Sequence, residues 1–392
     1  MACNGGAPVR STWLPYGRQS IDQDDIDAVV SVLSSELLTT GPKVVEFEEA
    51  FAAAVGARFA LTTSSGTAAL HAAVFAAGIE PLTEVVTTPL TFAATANCIR
   101  YQGGAVVFAD VRRDTLNLDP QLVEKRITPK TRAIITVDYA GNPSDLSELQ
   151  EIAQTHQLLL IEDACHALGA TYKKHSIGSL ADLTVFSLHP VKHITTGEGG
   201  VVTTNDAKLA NRLRIFRTHG ITSDHSERTQ AWSWLYDMVE LGFNYRLTDF
   251  QCALGLSQLK KLPGWLARRR EIAAAYTEAF LECPEIKTPV TLPDREPAWH
   301  LYVIRLNLDR LKTSREVIFR ALRAENIGVN VHYIPVPWHS YYQRLGYVKG
   351  NWPVAERAYE TLISLPIFPA MTDRDGQNVI CAVKKVIGHF RI

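Results

Sequence analysis

Short apolar runs alternate with amphipathic stretches through the first two thirds of the chain. "EVVTTP", "GAVVFADV" and "RAIITVDY" are rich in β-branched residues and end in turn or polar residues, which predicts strands. "LLLIEDAC", "LTVFSLH" and "GGVVTTND" predict three more. Among them, "DDIDAVVSVLSS" places Ile26, Val29, Val30 and Leu33 at helical spacing, "GTAALHAAVFAAG" is an Ala-rich helix opened by Gly66 and closed by Gly78, and "LSELQEIAQTHQ" is a further helix. This rhythm predicts an α/β fold, a mostly parallel central sheet flanked by helices. Functional residues in such sheets gather just past the carboxyl ends of strands. Asp138, Asp163 and Ser187 occupy that kind of position.

The pattern changes in the last third. A long helical stretch runs from about Asp249 to Phe280, and Pro284, Pro289, Pro293 and Pro297 punctuate the loop that follows. "HLYVIRLNL" predicts a strand, "SREVIFRALRAEN" a helix and "IGVNVHYIP" another strand. These elements predict a smaller C-terminal α+β domain, with a boundary near residues 265–285. The partition expected is an N-terminal arm at 1–25, a large domain at 26–270 and a small domain at 271–392. Residues 1–15 show no periodicity and read as an irregular arm or tail.

Composition narrows the function classes. A chain of 392 residues with 46% apolar residues supports a substantial core. Its formal net charge of -1 gives no whole-chain attraction to nucleic acid or an anionic membrane, and neither partner is expected. No apolar stretch approaches the roughly 18 residues that a membrane helix needs, and "MACNGGAPVRSTW" has no apolar h-region. The six cysteines are scattered, with no C-x-x-C pair, so neither a disulfide framework nor a metal site is expected and a reduced, cytoplasmic setting fits.

Three segments carry candidate chemistry. In "TSSGTAAL", Gly66 and Thr67 open a helix whose first N–H groups and positive dipole end suit a phosphate; an ordinary N-cap without a ligand is the other reading. In "IEDACHALGA", Asp163 ends a strand too apolar for the surface, where a carboxylate needs a strong partner, and His166 lies three residues on. A satisfied turn aspartate and a surface histidine are the alternative. In "SLHPVKHITTGEGG", Lys192 follows a strand and a proline. In a pocket its amine loses hydration and becomes a nucleophile that condenses with an aldehyde. Pyridoxal phosphate is such an aldehyde, and it requires a phosphate cradle and an acid opposite its ring nitrogen. All three parts are present. His193, whose side chain starts one residue away, is read as an exposed or structural imidazole.

With these parts in view, the sequence resembles the DegT/DnrJ/EryC1/StrS sugar aminotransferases, fold-type-I pyridoxal-phosphate enzymes, from about Tyr16 to Pro369. "YGRQSIDQDDI", "LTTGPKVVEFEEAFA", "TSSGTAALHAA", "PLTFAATAN", "IEDACHALGA", "SLHPVKHITTGEGG", "GFNYRLTDFQCALGLSQL" and "VHYIP" carry the resemblance. It implies that Lys192 bonds the cofactor, Asp163 pairs with the ring nitrogen, and His166 lies near the ring oxygen. Phe92 would stack on the ring, and Gly66, Thr67 and Ser187 would hold the phosphate. Asn244 would reach the phosphate of the neighbouring subunit, which implies a homodimer with shared sites. Some family members carry histidine in place of the lysine and do not transaminate; Lys192 favours transamination. Cys165 stands where Ala or Ser is usual.

Within the family, "VDYAGNP", "EDACHALGA" and "SLHPVKHITTGEGG" look closest to the pseudaminic acid branch. Those enzymes aminate C4 of a UDP-linked 2-acetamido-2,6-dideoxy-4-ketohexose, with L-glutamate as donor and 2-oxoglutarate as product. Another UDP- or dTDP-linked 4-keto or 3-keto sugar is the alternative within enzymes, since sugar contacts come from loops such as 222–243 and "VHYIPVPWHSYY". A non-catalytic, pyridoxal-phosphate-binding regulatory protein is the alternative outside them.

Overall fold

A computed structural model describes residues 1–223, 228 and 232–392. Seven strands form the central sheet: β1 (Phe59–Thr63), β2 (Glu84–Thr87), β3 (Ala105–Phe108), β4 (Thr131–Val137), β5 (Leu159–Asp163), β8 (Leu183–Ser187) and β9 (Gly200–Thr204). The short strands β6 (Thr171–Tyr172) and β7 (His175–Ser176) form an antiparallel hairpin outside it. The sheet order is β1-β9-β8-β5-β4-β2-β3, parallel throughout except that β9 runs against both β1 and β8. Helices cover both faces, and almost every side chain of β4, β5, β8 and β9 is buried, which is why these strands read as continuous apolar runs.

The helix Asp249–Phe280 connects two cores. Cys252, Leu262 and Leu266 pack with the sheet-side cluster that holds Phe47, Phe51 and Phe186. Farther along the same helix, Ile272, Ala273, Tyr276 and Phe280 pack in a second cluster with Tyr302, Ile304 and Val383. That second cluster surrounds the antiparallel sheet β10-β12-β13, made of Ile286–Lys287, Tyr302–Leu306 and Leu362–Leu365; β11 is Arg295–Glu296, paired with β6. The helices Arg315–Ala324 and Asp373–Phe390 complete this cluster.

Several expectations change. "IGVNVHYIP" is not a strand: only isolated bridges from Ile327 to Leu14 and from Asn330 to Ser364 tie it down. Its Asn330, Val331, His332 and Tyr333 turn to a cavity instead. Residues 1–15 are not a free tail. Leu14 is buried in the second core, and the N–H groups of Ala2 and Val9 donate to the buried Glu325 carboxylate, each at 2.8 Å. The helix Gln23–Leu33 forms as the spacing predicts, but Ile26, Val30 and Leu33 face outward while Val32 and Asp25 are buried. Part of the loop 222–243, expected to contact sugar, lies outside the described residues.

Candidate active site

Strand ends and one helix start converge on a cavity of about 510 Å³. β1 ends at Thr63 and the helix Gly66–Ala76 begins three residues later. Ser65 caps that helix: its hydroxyl accepts the Ala68 N–H at 3.1 Å and its carbonyl the Ala69 N–H at 2.9 Å. Among the described residues, the N–H groups of Gly66 and Thr67 find no such partner, and both residues line the cavity at the positive end of the helix dipole. Glycine is required where these elements meet. A Cβ on Gly66 would lie 2.9 Å from that of Ser187, and one on Gly200 only 2.4 Å from the Ser65 carbonyl oxygen.

Asp163, the last residue of β5, is buried at the cavity floor. Its Oδ2 accepts the Thr95 hydroxyl at 2.7 Å and its Oδ1 the Cys165 N–H at 3.2 Å. Thr95 is wholly buried in the helix Ala93–Tyr101, with its Oγ1 at 2.8 Å from that of Thr91. These donors orient the carboxylate, at about 1.5–3 kcal/mol for a hydrogen bond to a charged group.

Lys192 comes from a turn after β8, with Pro190 in its second place and the Lys192 N–H donating to His189 O at 2.9 Å. The surrounding loop is held from two sides. Leu188 N–H donates to Gly199 O and Thr195 Oγ1 to Leu188 O, each at 2.9 Å, and Gln251 Nε2 donates to Glu198 O at 2.8 Å. Burial pushes the Lys192 ammonium below the ordinary lysine value, against the opposing pull of Cys165 and Asp163. The Cys165 thiol is pushed well up by burial and by Asp163, so it stays protonated.

His166 is buried, not on the surface. Its Nε2 lies 3.1 Å from the Tyr333 hydroxyl, and its Nδ1 is buried with no partner. Burial, with the Lys192 charge as a smaller cause, lowers this imidazole well below its usual value and keeps it neutral. Phe92 stands exposed at the cavity rim, its ring 5.9 Å from that of Tyr333. Asn244 does not join the cavity of its own chain; it is exposed and its backbone bridges to Thr218. His193 is not exposed either: it is buried, and its Nε2 donates to Ala298 O at 3.0 Å, a structural contact.

Sequence reasoning passed over Tyr16, Thr95, His300, His332 and Tyr333, all of which line the cavity. Tyr16 and the His332–Tyr333 pair sit inside segments already noted for resemblance. Thr95 lies three residues after Phe92, one helical turn away, and that spacing was the available signal. His300 precedes a strand, with no pattern to mark it, and its ring centroid lies 4.5 Å from that of His166.

The chain matches the family model described as "DegT/DnrJ/EryC1/StrS aminotransferase family" over residues 19–384. It belongs to that family. Among curated relatives, the spore coat polysaccharide biosynthesis protein SpsC of Bacillus subtilis is 42% identical over 96% of this chain and 98% of its own. The UDP-4-amino-4,6-dideoxy-N-acetyl-beta-L-altrosamine transaminase of Campylobacter jejuni is 40% identical over 93% of this chain and 95% of its own. Among solved structures, Helicobacter pylori PseC, an aminotransferase of pseudaminic acid biosynthesis, superposes with a TM-score of 0.90 at 34% identity, covering 97% of this chain and all of that one. The putative sugar aminotransferase Spr1654 of Streptococcus pneumoniae, solved with PLP and with PMP, gives TM-scores of 0.90 and 0.91 at 30% and 31% identity, with 96% of this chain and 99% of that one covered. As a DegT-family enzyme, the chain is a pyridoxal-phosphate-dependent sugar aminotransferase. The residues present fit that cofactor: free helix N–H groups for a phosphate, an oriented carboxylate, an orphaned His166 Nδ1 and a lysine amine share one cavity.

Proposed function

We propose that the enzyme aminates C4 of a UDP-linked 2-acetamido-2,6-dideoxy-4-ketohexose. L-glutamate gives up its amino group and leaves as 2-oxoglutarate, and the ketone becomes UDP-4-amino-4,6-dideoxy-N-acetyl-β-L-altrosamine. The observation that carries this reading is the near full-length likeness to the Campylobacter jejuni transaminase.

The site residues receive the following roles. Gly66 and Thr67 N–H groups and the Ser187 hydroxyl bind the cofactor phosphate. Phe92 stacks on the ring, and His166 donates to its oxygen through Nδ1. Asp163, held by Thr95 and the Cys165 N–H, keeps the ring nitrogen protonated. When bound, pyridoxal phosphate supplies the aldehyde that exchanges amines and the ring that withdraws electrons. Lys192 would hold the cofactor at rest; its Nζ would then carry the proton from the donor's Cα to the cofactor carbon that receives the amine and, in the sugar half-reaction, a proton from that carbon to C4 of the sugar, a shuttle that its lowered affinity for protons suits.

The protein works as a homodimer in the cytoplasm, with the partner's Asn244 closing each phosphate site. Large apolar side chains left exposed on one chain support this: Ile26, Val30 and Leu33 on one helix, and Trp232, Trp234 and Leu235 beyond it in sequence. The large and small domains are divided within the helix Asp249–Phe280, where its contacts pass from one core to the other.

The comparable likeness to SpsC favours a second reading, another UDP- or dTDP-linked 4-keto or 3-keto sugar. A panel of such ketosugars, each incubated with holoenzyme and L-glutamate, separates the two. The 4-ketohexose named above is expected to yield 2-oxoglutarate and an equal amount of amino sugar by mass spectrometry, fastest of the panel. A faster dTDP-linked or 3-keto substrate overturns the first reading in favour of the second.

A further inference from the structure

A second cavity, of about 340 Å³, is lined by residues of β10, β12 and the helix Pro353–Thr361, and shares no lining residue with the cavity of Lys192. Four cations line it, Arg113, Lys287, Arg305 and Arg357, against one acid, Asp309. Arg357 is paired with Glu360 at 3.3 Å, so three cations without a carboxylate partner among the described residues stand against Asp309, an excess of two positive charges in a protein whose formal charge is -1. The apolar wall comes from Leu116 and Val354.

Two features separate this cavity from an ordinary solvated patch. Arg305 is half-buried, yet no carboxylate pairs with it among the described residues. Its Nη1 donates to Arg113 O at 2.6 Å and its Nη2 to Asp114 O at 3.3 Å, so the guanidinium is held by carbonyls, and the Asp114 carboxylate attracts it without pairing with it. Burial of a cation normally comes with a partner. Secondly, Lys287 and Arg305 are cross-strand partners in the β10–β12 register. Directly opposed side chains share a face, and like charges there repel. The fold therefore holds together cations that an anion between them would stabilise.

We propose that this cavity is a binding site for a small organic phosphate. Arginine and lysine heads supply charge-assisted hydrogen bonds to phosphoryl oxygens. The apolar wall and a volume at the lower end of ordinary ligand pockets suit a compact organic body attached to the phosphoryl group. The site is independent of the substrate assigned above.

Holoenzyme, with its cofactor phosphate already seated, is titrated calorimetrically with phenyl phosphate and, in parallel, with inorganic phosphate. Phenyl phosphate is expected to bind with one site per chain and more tightly than inorganic phosphate. Lys287→Glu, at an exposed position, replaces an attraction by a repulsion and is expected to weaken binding by about tenfold or more. The same variant relieves the Lys287–Arg305 repulsion, so without ligand its midpoint of thermal unfolding at low salt rises above that of the wild type. KM for the amino donor stays unchanged, which separates this cavity from the catalytic one. Absence of binding to the wild type, or equal binding by wild type and Lys287→Glu, overturns the proposal. Equal affinity for the two phosphates overturns the role of the apolar wall and leaves an inorganic anion as the ligand.

Discussion

Thr95 is the residue on which the orientation of Asp163 rests. A hydroxyl has one proton to give. Because the carboxylate can only accept, the Thr95 proton goes to Asp163 Oδ2, and Thr91 must then donate to Thr95. The chain is directional, wholly buried and aimed at the group assigned to the cofactor's ring nitrogen. Thr95→Val keeps the shape and removes the donor, leaving one buried carboxylate oxygen unpaired. The expected result is a fall in kcat of about tenfold or more, from the loss of about 1.5–3 kcal/mol, with KM for glutamate little changed. Affinity for the cofactor, followed by its visible absorbance during titration of the apoenzyme, should fall with it. Thr95→Ser should restore both. Wild-type turnover and cofactor affinity in Thr95→Val would show that Asp163 needs no such donor.

At the scale of elements, strands buried on both faces were the most legible part of the sequence, because Val, Ile and Leu in short runs have few other uses. β1 is not legible: "FALTT" is short and lies between a helix end and the phosphate turn. The reversed direction of β9 left no trace, since a buried strand has the same composition whichever way it runs. "IGVNVHYIP" alternates like a strand, but its polar side chains are used on a cavity, not on a solvent face. The catalytic candidates were legible because lysine, aspartate and glycine at strand ends conflict with the apolar runs around them. Thr95, a polar residue of ordinary type inside a helix, made no such conflict. The ends of β4 and β5 also bring Asp138 and Glu162 together, both wholly buried. Burial raises Asp138 to about 6 and, with the Asp138 charge, raises Glu162 well above its usual value. The folded state therefore holds more protons than the unfolded chain above the ordinary carboxylate range, so stability falls as pH rises through about 6 and beyond. Glu162→Gln retains the hydrogen-bonding groups and removes one titration. Its unfolding midpoint should depend less on pH from about 5 to 8 and exceed the wild type's at the upper end. Parallel curves for the two proteins would mean that the pair is not protonated as described.

For the whole molecule, the exposed apolar groups and the exposure of Asn244 outside the lining of its own cavity lead to one prediction about assembly. Ile26, Val30 and Leu33 on one helix, and Leu37 and Leu38 just after it, are large apolar side chains left exposed on a single chain, as interaction surfaces are. Asn244 is exposed and belongs to the segment just before the helix Asp249–Phe280, and the role proposed for it is at a partner's cavity. Lys192→Ala should abolish turnover by removing the amine, and Asn244→Ala should weaken cofactor affinity. Dimers mixed from one chain of each variant then distinguish the two geometries. If Asn244 acts across the interface, one site carries both lesions and the other carries neither, and the mixed dimer regains about half the activity of the wild type. If both residues serve the same chain's site, the only site with a lysine also lacks its asparagine, and no wild-type site exists. Activity of the purified heterodimer, measured at cofactor concentrations that saturate the wild type but not Asn244→Ala, reads the difference directly. Full activity from a chain that stays monomeric would exclude the shared site, because cofactor retention coupled to assembly requires that the assembled form bind it better.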